Sequence, residues 1–183
     1  SLNPSQGYLS SANQHPTDNS YPYYLSESFW PSFRAIRINN VLEKEKKLTL
    51  NDMQELQIDN TNMLAKTILP IMIDNIDIKK ISNNELLFYK KIIGWNHSND
   101  ANTVGASIFD LWYKTIEEFT WLDNLGTKDE YTMWPKIDKL SELIELNHNS
   151  HWFDDKQTEL IESFKDINQR AFKYVCHILI KIY

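Results

Sequence analysis

"KLTLNDMQELQIDNTNMLAKTILP", residues 47–70, carries the pattern that decides the fold. Met53, Leu56, Asn60, Met63, Leu64, Thr67 and Ile68 recur at intervals of three and four residues. That interval stacks side chains along one face of an α-helix. Thr49 is placed to cap the start, and Asp52, three residues on, completes a variant of the capping box. Pro70 has no backbone N–H to give a helix interior, so it is expected to end or kink the run.

The same period extends outward in both directions. Downstream, "SNNELLFYKKIIGW" predicts a shorter helix with Gly94 as its stop. "TVGASIFDLWYKTIEEF" places Val104, Ile108, Leu111, Trp112, Ile116 and Phe119 on one side of another. Residues 131–146 read as a further helix, and the last is expected from about Asp155 to the end, through Leu160, Phe164, Ile167, Ala171, Val175 and Leu179. Upstream, Trp30, Phe33, Ile36, Arg37 and Val41 keep helical spacing from about Ser28, and Pro31 is tolerable in a first turn. "GYLSSANQHPTDNSYPYY", residues 7–24, breaks the rule. Residues 8–12 read as a strand that stops at Asn13, followed by turn chemistry at "HPTDNS". A lone strand is not stable in water, so it is either a loose tail or part of a sheet whose other strands lie elsewhere. The fold expected is mainly α: an irregular bundle of about six or seven helices with a short N-terminal strand or extended arm.

Composition agrees and narrows the partners. The chain has 183 residues, 42% hydrophobic and 13% aromatic, enough for a core. Four glycines and six prolines suit helices better than a turn-rich β protein. A net charge of −6, with no basic cluster beyond "KEKK" at 44–47, argues against a nucleic-acid partner. No apolar stretch approaches membrane-spanning length, so no membrane partner is expected. One cysteine, Cys176, excludes an internal disulfide framework. No signal peptide is visible, which points to the cytoplasm for an intact protein and to nothing for an excised piece.

Several residues invite chemistry. Ser1 suggests an N-terminal nucleophile, but "SLNPSQG" offers neither base nor oxyanion hole, and a cleavage scar is the plainer explanation. His148 and His151 form an H-x-x-H pair near Asp154 and Asp155: two metal ligands, or a polar loop with one Asp capping the last helix. His97, in "NHSND", reads as a loop residue. Cys176, beside Val175 and Ile178, reads as buried and inert. Asp59 reads as mid-helix, either a surface polar residue or a structural hydrogen-bond partner. Asn13 reads two ways on local chemistry. It can be a turn former, or an amide projected from a strand end to donate to a developing oxyanion.

The segments "GYLSSANQHP", "SYPYYL", "FRAIRINNVL", "KLTLNDMQELQIDNTNMLAKTILP", "GASIFDLWY" and "HWFDDKQTELIESF", in that order, resemble the β-chain interior of the penicillin acylase family. These are N-terminal nucleophile amidohydrolases, and the resemblance runs from about residue 7 to residue 183. It implies that Asn13 matches the family Asn whose side-chain amide helps form the oxyanion hole. It implies that Arg34 matches the family Arg that orders this Asn and the substrate pocket, with Arg37, one turn later, in a structural role. No cofactor is implied. Some members take calcium through an Asp after "YP", and Leu25 stands there, so a calcium site is not carried over.

The family nucleophile is the first residue of a self-cleaved β chain, with its own α-amino group as base, and it lies about a domain length upstream of the Asn strand. Ser1 is too close to Asn13 to match it. The resemblance therefore implies an internal β-chain fragment, inert alone. Residues 1–26 would be strand and turn of the parent's active-site sheet, and 27–183 a helical segment of a larger αββα hydrolase. The expected parent function is hydrolysis of linear amides through an acyl-enzyme. Its partners would be a small-molecule amide and the remainder of the α and β chains, in the periplasm or secreted. The alternative is a non-catalytic helical interaction domain.

Overall fold

The computed structural model describes residues 3–18, 20–26, 29–44, 47–128 and 132–182. Among them are seven α-helices: α1 (Phe33–Lys44), α2 (Leu50–Gln57), α3 (Met63–Asp74), α4 (Asn83–Ile93), α5 (Val104–Leu125), α6 (Ile137–Leu146) and α7 (Phe164–Ile182). Short 3₁₀ turns lie at Ile78–Lys80 and His151–Phe153. The chain divides into two compact units, Ser1–Met63 and Leu64–Tyr183.

The C-terminal unit is built around α5, which packs against α7 and α4, while α4 also meets α7. Trp112, Trp121, Phe153, Phe164 and Phe172 are fully buried. Trp112 and Phe172 meet at 4.8 Å between centroids with their planes tilted by 56°, a geometry that adds ring electrostatics to the area buried. Buried polar groups are tied in as well. The Trp112 Nε1 donates to the Asn168 carbonyl at 3.2 Å, and the Asn168 Nδ2 donates to the Met72 carbonyl at 2.8 Å. Gly105 opens α5 beneath the Trp95 ring, and a Cβ there would run into Trp95 Cβ and Cγ. Only glycine lets that indole lie so close to the helix.

Several boundaries differ from the sequence expectation. The helix expected through 50–68 is two helices, broken at residues 58–62. The break is Asx chemistry: the Asp59 Oδ1 accepts from Thr61 N at 3.1 Å, an alternative to the helical ladder. Asp59 is therefore in a turn and not mid-helix. Pro70 neither ends nor stops α3, which continues to Asp74. Pro70 and Lys66, the residue whose carbonyl loses its donor, are both exposed, while Ile68, Leu69 and Met72 keep the helix docked. The last helix starts at Phe164, not Asp155. Residues 154–163 are held as a loop by the Glu162 N bond to Asp154 Oδ1 at 2.9 Å, and by Arg170, which reaches Asp155 at 3.0 Å and Glu162 at 3.4 Å. So neither aspartate caps that helix, whose first turn is closed instead by Ser163 bonding to Asp166. α6 begins at Ile137, and the expected start at 131 lies outside the described residues, as does Ser28, the expected start of α1. Gly94 does stop α4, but in a right-handed conformation, with φ −79°. The expected capping box of Thr49 with Asp52 forms, and a second, Ser82 with Glu85, opens α4.

In the N-terminal unit, residues 7–13 form no strand; they are the extended arm. The unit also holds α1 and α2, and its described apolar side chains that are buried are Ala12, Ala35 and Met63.

Candidate active site

The arm runs antiparallel to α1 and is tied to it by side chains. The Tyr8 hydroxyl donates to Glu43 Oε1 at 3.0 Å. The Ser10 hydroxyl reaches Asn39 Oδ1 at 2.5 Å. The Arg34 Nη2 donates to Asn13 Oδ1 at 2.6 Å and more weakly to the Ala12 carbonyl at 3.4 Å. An extended arm rises ~3.3 Å per residue and a helix ~1.5 Å, so residues 8 to 13 span about the same length as residues 43 to 34. The register of these ties follows from that match.

Asn13 sits where the arm turns. Its φ is 65°, a left-handed conformation that asparagine tolerates better than most residues. Its carbonyl accepts from Trp30 N at 3.1 Å, which closes the loop between the arm and α1. The Arg34 bond decides how the side-chain amide lies. A guanidinium only donates, so Oδ1 faces Arg34 and the Nδ2 hydrogens face away from it. Among the described residues no acceptor takes those hydrogens, and Asn13 is exposed. The chain thus brings together Asn13 and Arg34, the two residues singled out in the sequence. The result is an oriented, uncommitted amide donor, which can stabilise negative charge on an incoming carbonyl oxygen.

A third and fourth residue stand behind this pair. The Arg37 Nε donates to Asp59 Oδ1 at 3.0 Å, and its Nη2 to Oδ2 at 2.5 Å, a two-pronged fork. The fork holds the Asp59 carboxyl down at about 2 against an opposing push from burial, and it raises the Arg37 guanidinium. Sequence reasoning gave Arg37 a structural role but missed its partner. The signal was present: "DNTN" at 59–62 is turn chemistry inside an otherwise helical run.

The remaining candidates lie apart. The His148 Nε2 is 2.6 Å from the Ile144 carbonyl, and its ring packs on Phe164. His151 stacks on Trp152. Among the described residues no three His, Cys, Asp or Glu side chains converge as metal ligands. His97 stacks on Trp95, and desolvation lowers its pKa. Cys176 is buried, and desolvation pushes its thiol up to about 12, far from the thiolate a nucleophile requires. Ser1 lies outside the described residues. No helix among the described residues is long and apolar enough to cross a membrane.

The model of the penicillin amidase family matches residues 1–182. That match spans the arm with Asn13, the helix with Arg34 and the C-terminal unit up to residue 182, and by it the chain belongs to the penicillin amidase family of hydrolases.

Proposed function

We propose that this chain is the internal part of the β chain of a penicillin-acylase-like enzyme that hydrolyses linear amides, and that Asn13 supplies an oxyanion-hole donor. The reaction would begin with an N-terminal Ser, Thr or Cys outside this sequence. Its side chain attacks the amide carbonyl and its α-amino group takes the proton. Charge then builds on the carbonyl oxygen, and the Asn13 Nδ2 donates to it while Arg34 holds the opposite end of the same amide. The tetrahedral intermediate collapses, expels the amine with a proton and leaves an acyl-enzyme. Water cleaves that ester or thioester to the free acid. Arg34, already engaged with Oδ1, would act as the residue that orders the donor.

One observation supports this reading above the others: the Arg34 Nη2 bond to Asn13 Oδ1 at 2.6 Å leaves Nδ2 turned outward at a left-handed corner. A turn-forming asparagine needs no such partner. The test is single-turnover acylation of the full processed enzyme by N-acyl-p-nitroanilides. Asn13→Ala should slow the p-nitroaniline burst by ~10²–10³-fold, the cost of losing one oxyanion donor. An unchanged burst rate overturns the assignment.

A further inference from the structure

α1 carries Arg34, yet little of its apolar surface is fully sealed: Phe33, Ile38, Val41 and Leu42 are only half-buried. Ala35 is its one buried residue. The two arm ties beyond Arg34 are single hydrogen bonds, from Tyr8 to Glu43 and from Ser10 to Asn39, and single bonds tolerate rotation. The fork between Arg37 and Asp59 does not, because two parallel bonds fix both the plane and the position of the guanidinium. Both side chains are substantially covered, at 27% and 18% exposure, so the pair is sheltered from competing water. Asp59 is itself anchored, since its Oδ1 also accepts from Thr61 N.

We propose that Asp59 is a positioning residue for the Asn13 amide, acting through Arg37 and α1 on Arg34. Arg37 follows Arg34 by three residues on one helix, so the two project from neighbouring points of the same face. Rolling α1 by about 10° would move a group about 6 Å from its axis by about 1 Å. A shift of that size breaks the Arg34 bond and frees the Asn13 amide to turn. Misplacing a catalytic group by ~1 Å from a distance can cost up to ~10²-fold in rate. This role rests on the oxyanion reading of Asn13 given above.

The experiment is a double-mutant cycle in the full processed enzyme, with active sites counted by titration, so that only folded and processed molecules enter kcat. Asp59→Asn keeps an oxygen for Thr61 N and removes the charged fork. It should lower kcat ~10-fold with KM changed less than ~2-fold, the signature of an interaction felt in the transition state. Combined with Asn13→Ala, it should cause no further loss, because its effect passes through Asn13. Lys114→Ala, which removes an exposed pair with Asp110 on α5, is the control and should leave kcat unchanged. Asp59→Asn with undiminished kcat, or losses that multiply in the double variant, overturns the positioning role while leaving the oxyanion reading intact. Asn13→Ala with undiminished kcat overturns both, and that single variant tells the two failures apart.

Discussion

The two units of this chain are held by different forces. From Leu64 onward, large rings are sealed inside: Trp112, Trp121, Phe153, Phe164 and Phe172 have no meaningful exposure. Before it, several of the largest rings stand outside. Tyr23 is 73% exposed, Tyr24 79% and Trp30 73%. There, the described ties between the arm and α1 are hydrogen bonds between named polar atoms. A packed core resists change everywhere, because every methylene has neighbours. A polar scaffold has a few ties that matter and many side chains that do not. The candidate site lies in the second kind of structure, where an amide can be aimed without being buried.

The contrast can be broken by mutation. Phe172→Ala removes a ring that meets Trp112 at 4.8 Å and Tyr89 at 6.1 Å. It should cost about 3–5 kcal/mol in urea unfolding, whereas Trp30→Ala should change stability by less than about 0.5 kcal/mol. Equal costs would show that the loop before α1 is packed as firmly as the core. Next in size is Gly105→Ala. The new methyl collides with the root of the Trp95 side chain, which cannot swing aside. Overpacking of about 1–3 kcal/mol should exceed the helix-propensity gain of about 1 kcal/mol, so the melting temperature should fall. A rise would mean that the Trp95 backbone yields.

A modest, pH-dependent stability effect belongs to the fork. Asp59 has a folded pKa of about 2, below its ordinary 3.8. Its contribution is therefore complete above the unfolded value and is lost as pH falls from about 4 towards 2. With allowance for solvent screening the loss is about 1 kcal/mol, and it should be absent in Asp59→Asn. Parallel acid-unfolding curves for the two proteins would remove the fork from the list of ties.

Local chemistry was legible in the sequence where it acts alone. Thr49 with Asp52 announced a helix start, Gly94 a stop, and the period through Ile108, Trp112 and Ile116 the buried face of α5. What escaped were contests between local and distant forces. Pro70 reads as an end or a kink, and the helix does not end there because burial of Ile68, Leu69 and Met72 outweighs one missing bond. The apolar period through Asp59 reads as one helix, but Arg37, 22 residues away in sequence, stabilises the turn instead. The α7 start is delayed because Arg170 gathers Asp155 and Glu162 into a loop. The arm reads as a strand by composition, yet its described ties run through side chains to α1. Asn13 and Arg34 were singled out through family resemblance, and their hydrogen bond could not be read from spacing because it depends on the turn at Asn13.

Arg34 gives the most direct test, because it is exposed and contributes little to packing. In the full processed enzyme, Arg34→Leu should reduce kcat for an N-acyl-p-nitroanilide at least ~10-fold while the unfolding free energy stays within about 0.5 kcal/mol of the parent's. Undiminished kcat would contradict a guanidinium that orders the Asn13 amide, and a matching loss of stability would make Arg34 a structural residue only.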